Sequence, residues 1–170
     1  MMTKLCLSFV SALAFSFFSS SLAAHSGHNH SADTAQLEVS NAQVREFLPG
    51  GKASAAYLTI SNHSGANAIL TKASIDGLAR VEIHEHAHVD GMMKMQKVES
   101  VIVKAHESVD FQPGGYHLMV FEPQEPLKAG QERKLTLYFS DGNRLFTNIE
   151  VVTLESQINK AKSSAQHSHH

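Results

Sequence analysis

The stretch Pro113-Gly-Gly-Tyr-His-Leu-Met-Val-Phe121 decides how this chain folds. Proline presets φ and glycine accepts positive φ, so the segment opens on a turn. An extended strand follows, in which residues two apart share a face. Leu118 and Val120 then point into a core, while His117 and Met119 are presented together on the opposite side.

Outward from this strand the same grammar repeats. Short runs rich in β-branched and aromatic residues, broken by Gly, Pro, Asn and Asp, predict strands over 36–44, 53–61, 68–74, 79–87, 93–98, 100–104, 108–111, 116–121, 133–139 and 145–152. Pro49-Gly-Gly51, Asp90-Gly91 and Asp141-Gly142 supply further reversals. No sustained 3.6-residue apolar period and no internal repeat interrupts the pattern. It predicts an all-β domain, either a two-sheet sandwich or a Greek-key barrel.

At 170 residues the chain suits one domain, with 14 Lys and Arg against 16 Asp and Glu and a net charge of −2. Without a basic run, nucleic acid is excluded as a partner, because backbone binding rests on clustered Lys and Arg. Residues 1–24 read as a signal peptide: Lys4, an apolar run from Leu5 to Phe18, and small residues closing at Ala24. Ser8, Ser11 and Ser16 interrupt that run, which falls short of the roughly 20 apolar residues a membrane span needs. The single cysteine, Cys6, precedes the cleavage region, lacks the small-residue context of a lipoprotein cysteine, and leaves with the peptide. The product is expected to be exported, not membrane-embedded, monomeric and free of thiols, so its apolar core alone must hold it together.

Residues 25–35 carry His25, His28 and His30; residues 154–170 carry His167, His169 and His170. Both segments have little to bury and are expected to be disordered His-rich tails flanking a folded domain at 36–153. Clustered histidines on such arms suit Cu(II) or Zn(II), and Cu(II) collection is the role expected of them.

The chemistry concentrates elsewhere. Beyond the leader the only methionines are Met92, Met93, Met95 and Met119, and they lie among His84, His86, His88, His106 and His117. Core-filling methionines would scatter through the strands. His84, His86 and His88 share a strand face, the chain reverses at Asp90-Gly91, and it returns through Met93 and Met95. Two hairpin-like segments therefore converge toward one ion. Thioether sulfur is neutral and polarisable and suits Cu(I), whereas imidazole accepts either copper state. A blue-copper centre lacks its cysteine, and catalytic zinc uses His and carboxylate rather than Met. Glu82, Glu85 and Asp90 are expected to moderate the charge of the complex. Met92 and Met93 read as hydrophobic cover, and His63 and His106, near turns, as surface residues.

The spacing of His84, ten residues, Met95, 21 residues, His117, one residue and Met119 resembles that of the periplasmic copper chaperone family, PCu(A)C. Ala56-Tyr-Leu-Thr-Ile-Ser-Asn62, His84-Glu85, Asp90-Gly-Met-Met-Lys-Met95 and Pro113-Gly-Gly-Tyr-His-Leu-Met119 are similar to segments of that family. The resemblance covers residues 36–153. It implies a cupredoxin-like β-barrel that binds one Cu(I) through His84, Met95, His117 and Met119. It also implies periplasmic delivery of copper to the copper-site subunit of respiratory haem–copper oxidases, alone or with Sco-like thioredoxin-fold copper proteins. Departures from the family pattern are His86 and His88 as additional metal-site residues, Phe121 where many relatives have Met, and the two tails. A copper-sequestering or resistance protein is the alternative reading, which the tails favour. An enzyme using a histidine brace at His25 is set aside, since the Met-rich site has no evident substrate pocket.

Overall fold

The computed structural model describes residues 36–89, 91–157 and 159. The apolar leader, the arm at 25–35 and the tail histidines at 167, 169 and 170 lie outside these residues.

Ten strands follow one another: β1 Leu37–Arg45, β2 Ala53–Asn62, β3 Ala68–Ile75, β4 Leu78–Val89, β5 Met92–Lys97, β6 Val101–Val103, β7 Ser108–Phe111, β8 Tyr116–Pro123, β9 Glu132–Phe139 and β10 Arg144–Val152. Each corresponds to a strand expected from the sequence, displaced by a few residues at most. Turn glycines sit where reversal demands positive φ, at Gly91 (+75°) between β4 and β5 and at Gly114 (+86°) before β8. One correction concerns the start of the expected tail, where residues 154–157 form a helical turn. Thr153 caps it, its hydroxyl accepting from the Ser156 amide at 3.1 Å and its carbonyl from that of Gln157 at 3.2 Å.

The strands form a single hydrogen-bonded sheet in the order β5-β4-β8-β7-β2-β1-β10-β9-β3-β6. Most neighbours are antiparallel; β1 with β10 and β7 with β8 are parallel. Consecutive strands β3 and β4 join through Asp76-Gly77 yet lie far apart in the order, which requires the sheet to fold over on itself. Asn62 fastens the fold. Buried at the end of β2, it donates to the carbonyl of Val103 on the terminal strand β6 at 3.0 Å and to that of Ala66 at 2.8 Å. Among the described residues β5 and β6 do not pair with each other, so the sheet curls without closing.

One apolar cluster fills the fold, drawing Val44, Leu58, Leu70, Leu118, Leu135 and Ile149 from six different strands. Leu118 and Val120 are fully buried within it, as the alternation in β8 predicted. The all-β, cupredoxin-like architecture thus stands. Among the described residues no helix is long and apolar enough to cross a membrane.

Candidate metal site

Strand β4 carries the site because it lies between β5 and β8. With β8 its register places Arg80 opposite Phe121, Glu82 opposite Met119 and His84 opposite His117. With β5 it places His84 opposite Lys97, His86 opposite Met95 and His88 opposite Met93. Period-two alternation puts all these side chains on the face turned away from the core residue Ile83.

His117 anchors the face. It is 3% exposed, and its Nδ1 lies 3.2 Å from the Gly115 carbonyl, which can only accept; Nδ1 therefore carries the proton and Nε2 the lone pair. That free nitrogen lies 3.2 Å from the Met95 sulfur. Burial pushes the His117 pKa below its ordinary value, against the opposing pull of the Gly115 hydrogen bond, with His86, His84 and Arg45 lowering it further. The imidazole is kept neutral, the state in which it ligates.

His84 is oriented from behind. Its Nε2 donates to Glu82 at 2.9 Å, leaving Nδ1 as the lone-pair nitrogen, and that Nδ1 is buried without a hydrogen-bond partner. A carboxylate behind an imidazole fixes its tautomer and raises its basicity, as behind metal-bound histidines generally. Glu82 is itself held by Arg80, which donates at 2.6 Å, with Lys97 at 4.0 Å. The His84 hydrogen bond and then Arg80 keep the Glu82 carboxyl below its usual pKa. Arg80 in turn lies over the Phe121 ring, 3.8 Å from its centroid. The aromatic residue at that position thus steadies the support behind His84.

His86 is more central than its sequence neighbours suggested. Its ring stacks on His117 with centroids 4.9 Å apart, closer than His84 at 5.9 Å, and its Nδ1 is also buried and unpartnered. Met95 is half exposed above them. The structure therefore brings His84, His86, Met95 and His117 together. Met119 shares the face but lies one step further along, opposite Glu82 and Ala55, where it lines a 210 Å³ recess with Arg45, Leu48 and Leu154. His88 is exposed near the hairpin tip.

Two expectations require correction. Met92 and Met93 are 58% and 52% exposed and cover no core, because among the described residues β5 is an edge strand with no element packed over it. Glu85 faces the other side of β4, opposite Tyr116, and helps burial push that phenol's pKa up rather than serving the histidines. Asp90 lies outside the described residues. His63 and His106 are away from the site, His63 beside the Glu38 carboxylate at 3.3 Å and His106 in the β6–β7 turn. The Arg80 and Gly115 contributions went unread in the sequence, although two-residue spacing from His84 through Glu82 to Arg80 places all three on one face.

Among the described residues no three of His, Cys, Asp and Glu are arranged to hold a metal ion. What is assembled is mixed, with imidazole nitrogens facing a thioether. Such donors fit a soft monovalent ion better than a hard or borderline divalent one. The buried Nδ1 atoms of His84 and His86 have no protein hydrogen-bond partner and are open to a ligand.

A family model described as "LpqE-like: Putative lipoprotein LpqE-like" matches residues 37–151. An uncharacterized protein of Rickettsia prowazekii is 33% identical over 99 residues, 58% of this chain and 55% of that one. A putative lipoprotein of Leifsonia xyli subsp. xyli is 32% identical over 108 residues, 63% and 64% of the two chains. The chain thus spans less than two thirds of the length of either relative. Among solved structures, copper(I)-loaded DR1885 of Deinococcus radiodurans is 27% identical, with a TM-score of 0.56 over 66% of this chain and 76% of that one. The apo PCuAC domain from PmoF1 superimposes with a TM-score of 0.59 at 18% identity, over 69% and 94% of the two chains, a likeness of fold.

Proposed function

The chain belongs to the LpqE-like family and has the PCuAC fold, and from that premise we propose that it is an exported copper chaperone that binds Cu(I). The donors are His84, Met95, His117 and Met119, with His86 as an adjoining imidazole. The observation that carries this reading is the 3.2 Å approach of the unprotonated His117 Nε2 to the Met95 sulfur. Neither atom donates a hydrogen bond to the other in the neutral state, so their convergence is explained by a soft cation between them. The copper(I)-loaded relative of the same fold supports the choice of ion. The lipoprotein descriptions of the family and of the Leifsonia protein support export, here to the periplasm.

Copper is cargo in this account, bound and passed on rather than used in catalysis. Uncharged donors, with the half-exposed Met95 over the buried His117, allow transfer by stepwise ligand exchange that begins at the thioether. The recipients would be the copper-site subunit of a haem–copper oxidase or a Sco-like thioredoxin-fold copper protein. His25, His28, His30, His167, His169 and His170 would collect Cu(II), and deleting both tails should lower Cu(II) stoichiometry while leaving Cu(I) binding intact. To test delivery, Cu(I)-loaded protein is mixed anaerobically with the soluble copper-site domain of such an oxidase. Appearance of the copper centre in the recipient supports chaperone action. Retention of copper by the donor would turn the reading to sequestration.

A further inference from the structure

Beyond the Glu85–Tyr116 pair, β4 leaves β8 behind and continues to Val89 paired with β5 alone. The end of the β4–β5 hairpin is therefore a two-stranded arm, and such ribbons have little stability of their own. Its face repeats one motif. His86 lies opposite Met95, and one rung further toward the tip His88 lies opposite Met93. Directly opposed side chains have Cβ atoms about 5 Å apart, and successive rungs on one face are separated by about 7 Å. The third rung breaks the motif, placing the cation Lys97 opposite His84.

The exposure of the outer rung is unusual for an edge strand, which is ordinarily blunted with charge or proline. In β5 the charged Lys94 lies on the opposite face, opposite Ala87, while both Met93 and Met95 lie on the histidine face. Met93 is 52% exposed and contributes to no core, so packing does not account for it.

From this register we infer that His88 and Met93 form a second, outer Cu(I) subsite, a landing place from which copper moves one rung inward to Met95, His86 and His117. The inference rests on the copper reading above. Two donors, one imidazole and one thioether, suffice for weak capture of a soft ion but not for retention, and the mobility expected of a two-stranded arm suits exchange with a partner. Movement between rungs needs one new ligand bond for each one broken and no change of oxidation state.

The test uses the full mature chain with Ag(I) as a redox-inert stand-in for Cu(I), following methionine methyl resonances labelled with 13C and assigned by single substitutions. The first equivalent should shift the Met95 methyl, and the second should shift that of Met93 in fast exchange. His88→Ala combined with Met93→Ala should keep the first equivalent, lose the second, and slow loading of Cu(I) from a chelator complex several-fold in stopped flow. If Met95 responds while Met93 stays silent through two equivalents, or if loading is equally fast without His88 and Met93, the outer subsite is wrong and the copper reading stands. A silent Met95 overturns both.

Discussion

Glu82 shows how one carboxylate sets the chemistry of a neighbouring ring. By accepting from His84 Nε2 it commits Nδ1 to be the free donor, and Arg80 keeps it ionised for that task. Glu82→Gln should therefore weaken Cu(I) binding by about 10–100-fold, the usual effect of losing such a support, while the circular dichroism spectrum stays unchanged. Competition titration against a Cu(I) chelator measures it. His117 makes a second prediction, for the metal-free protein. Its pKa is depressed by folding, so the unfolded chain takes up a proton first as pH falls through about 6.5 and stability drops over that window. Glu82, also depressed, contributes stability above its unfolded value and loses it only at more acidic pH, as the carboxyl protonates. Melting temperatures between pH 7.5 and 5.5 should fall, and the fall should be shallower in His117→Leu; identical slopes would remove His117 as the cause.

At the scale of the strand, alternation in β8 puts core residues on one face and the proposed donors on the other. Leu118 is fully buried, and Leu118→Ala should cost about 2–5 kcal/mol in urea unfolding. Met119→Ala, one residue along on the other face, should leave stability far less affected and act on copper binding instead. That division was legible in the sequence, because period-two alternation and the Pro-Gly-Gly turn are local signals. The pairing across β4 and β5 was less so. With Val89 paired to Met92, His86 rather than His84 must oppose Met95. The hairpin turn sets this pairing, whereas the family's ligand spacing points to His84. His86→Ala is accordingly expected to lower Cu(I) affinity by about tenfold or more, about 1.4 kcal/mol, and an unchanged affinity would restrict His86 to stacking on His117.

Across the whole molecule, the ten strands and the all-β class could be read from composition and turns, whereas the folding-over of the sheet could not. It depends on long-range partners such as Asn62 and Val103, which no local pattern announces. Asn62→Ala would remove the buried hydrogen bond to the Val103 carbonyl and should cost about 1–3 kcal/mol, read as a lower urea midpoint. The helical residues at 154–157 carry no apolar alternation of the kind that marks the strands. Of the candidate site, the clustering of His84, His86, Met95 and His117 on one face was visible in residue type and spacing. Their support was not, since Gly115 contributes a backbone atom and Arg80 acts at one remove. The central claim is that Cu(I) is held by thioether and imidazole on the β4–β5–β8 face. X-ray absorption at the copper edge of the Cu(I)-loaded mature protein, compared with the Met95→Ala, Met119→Ala double variant, tests it most directly. Sulfur scattering is expected in the parent protein and should disappear in the variant together with tight binding. Nitrogen-only scattering in the parent, with affinity unchanged in the variant, would contradict it.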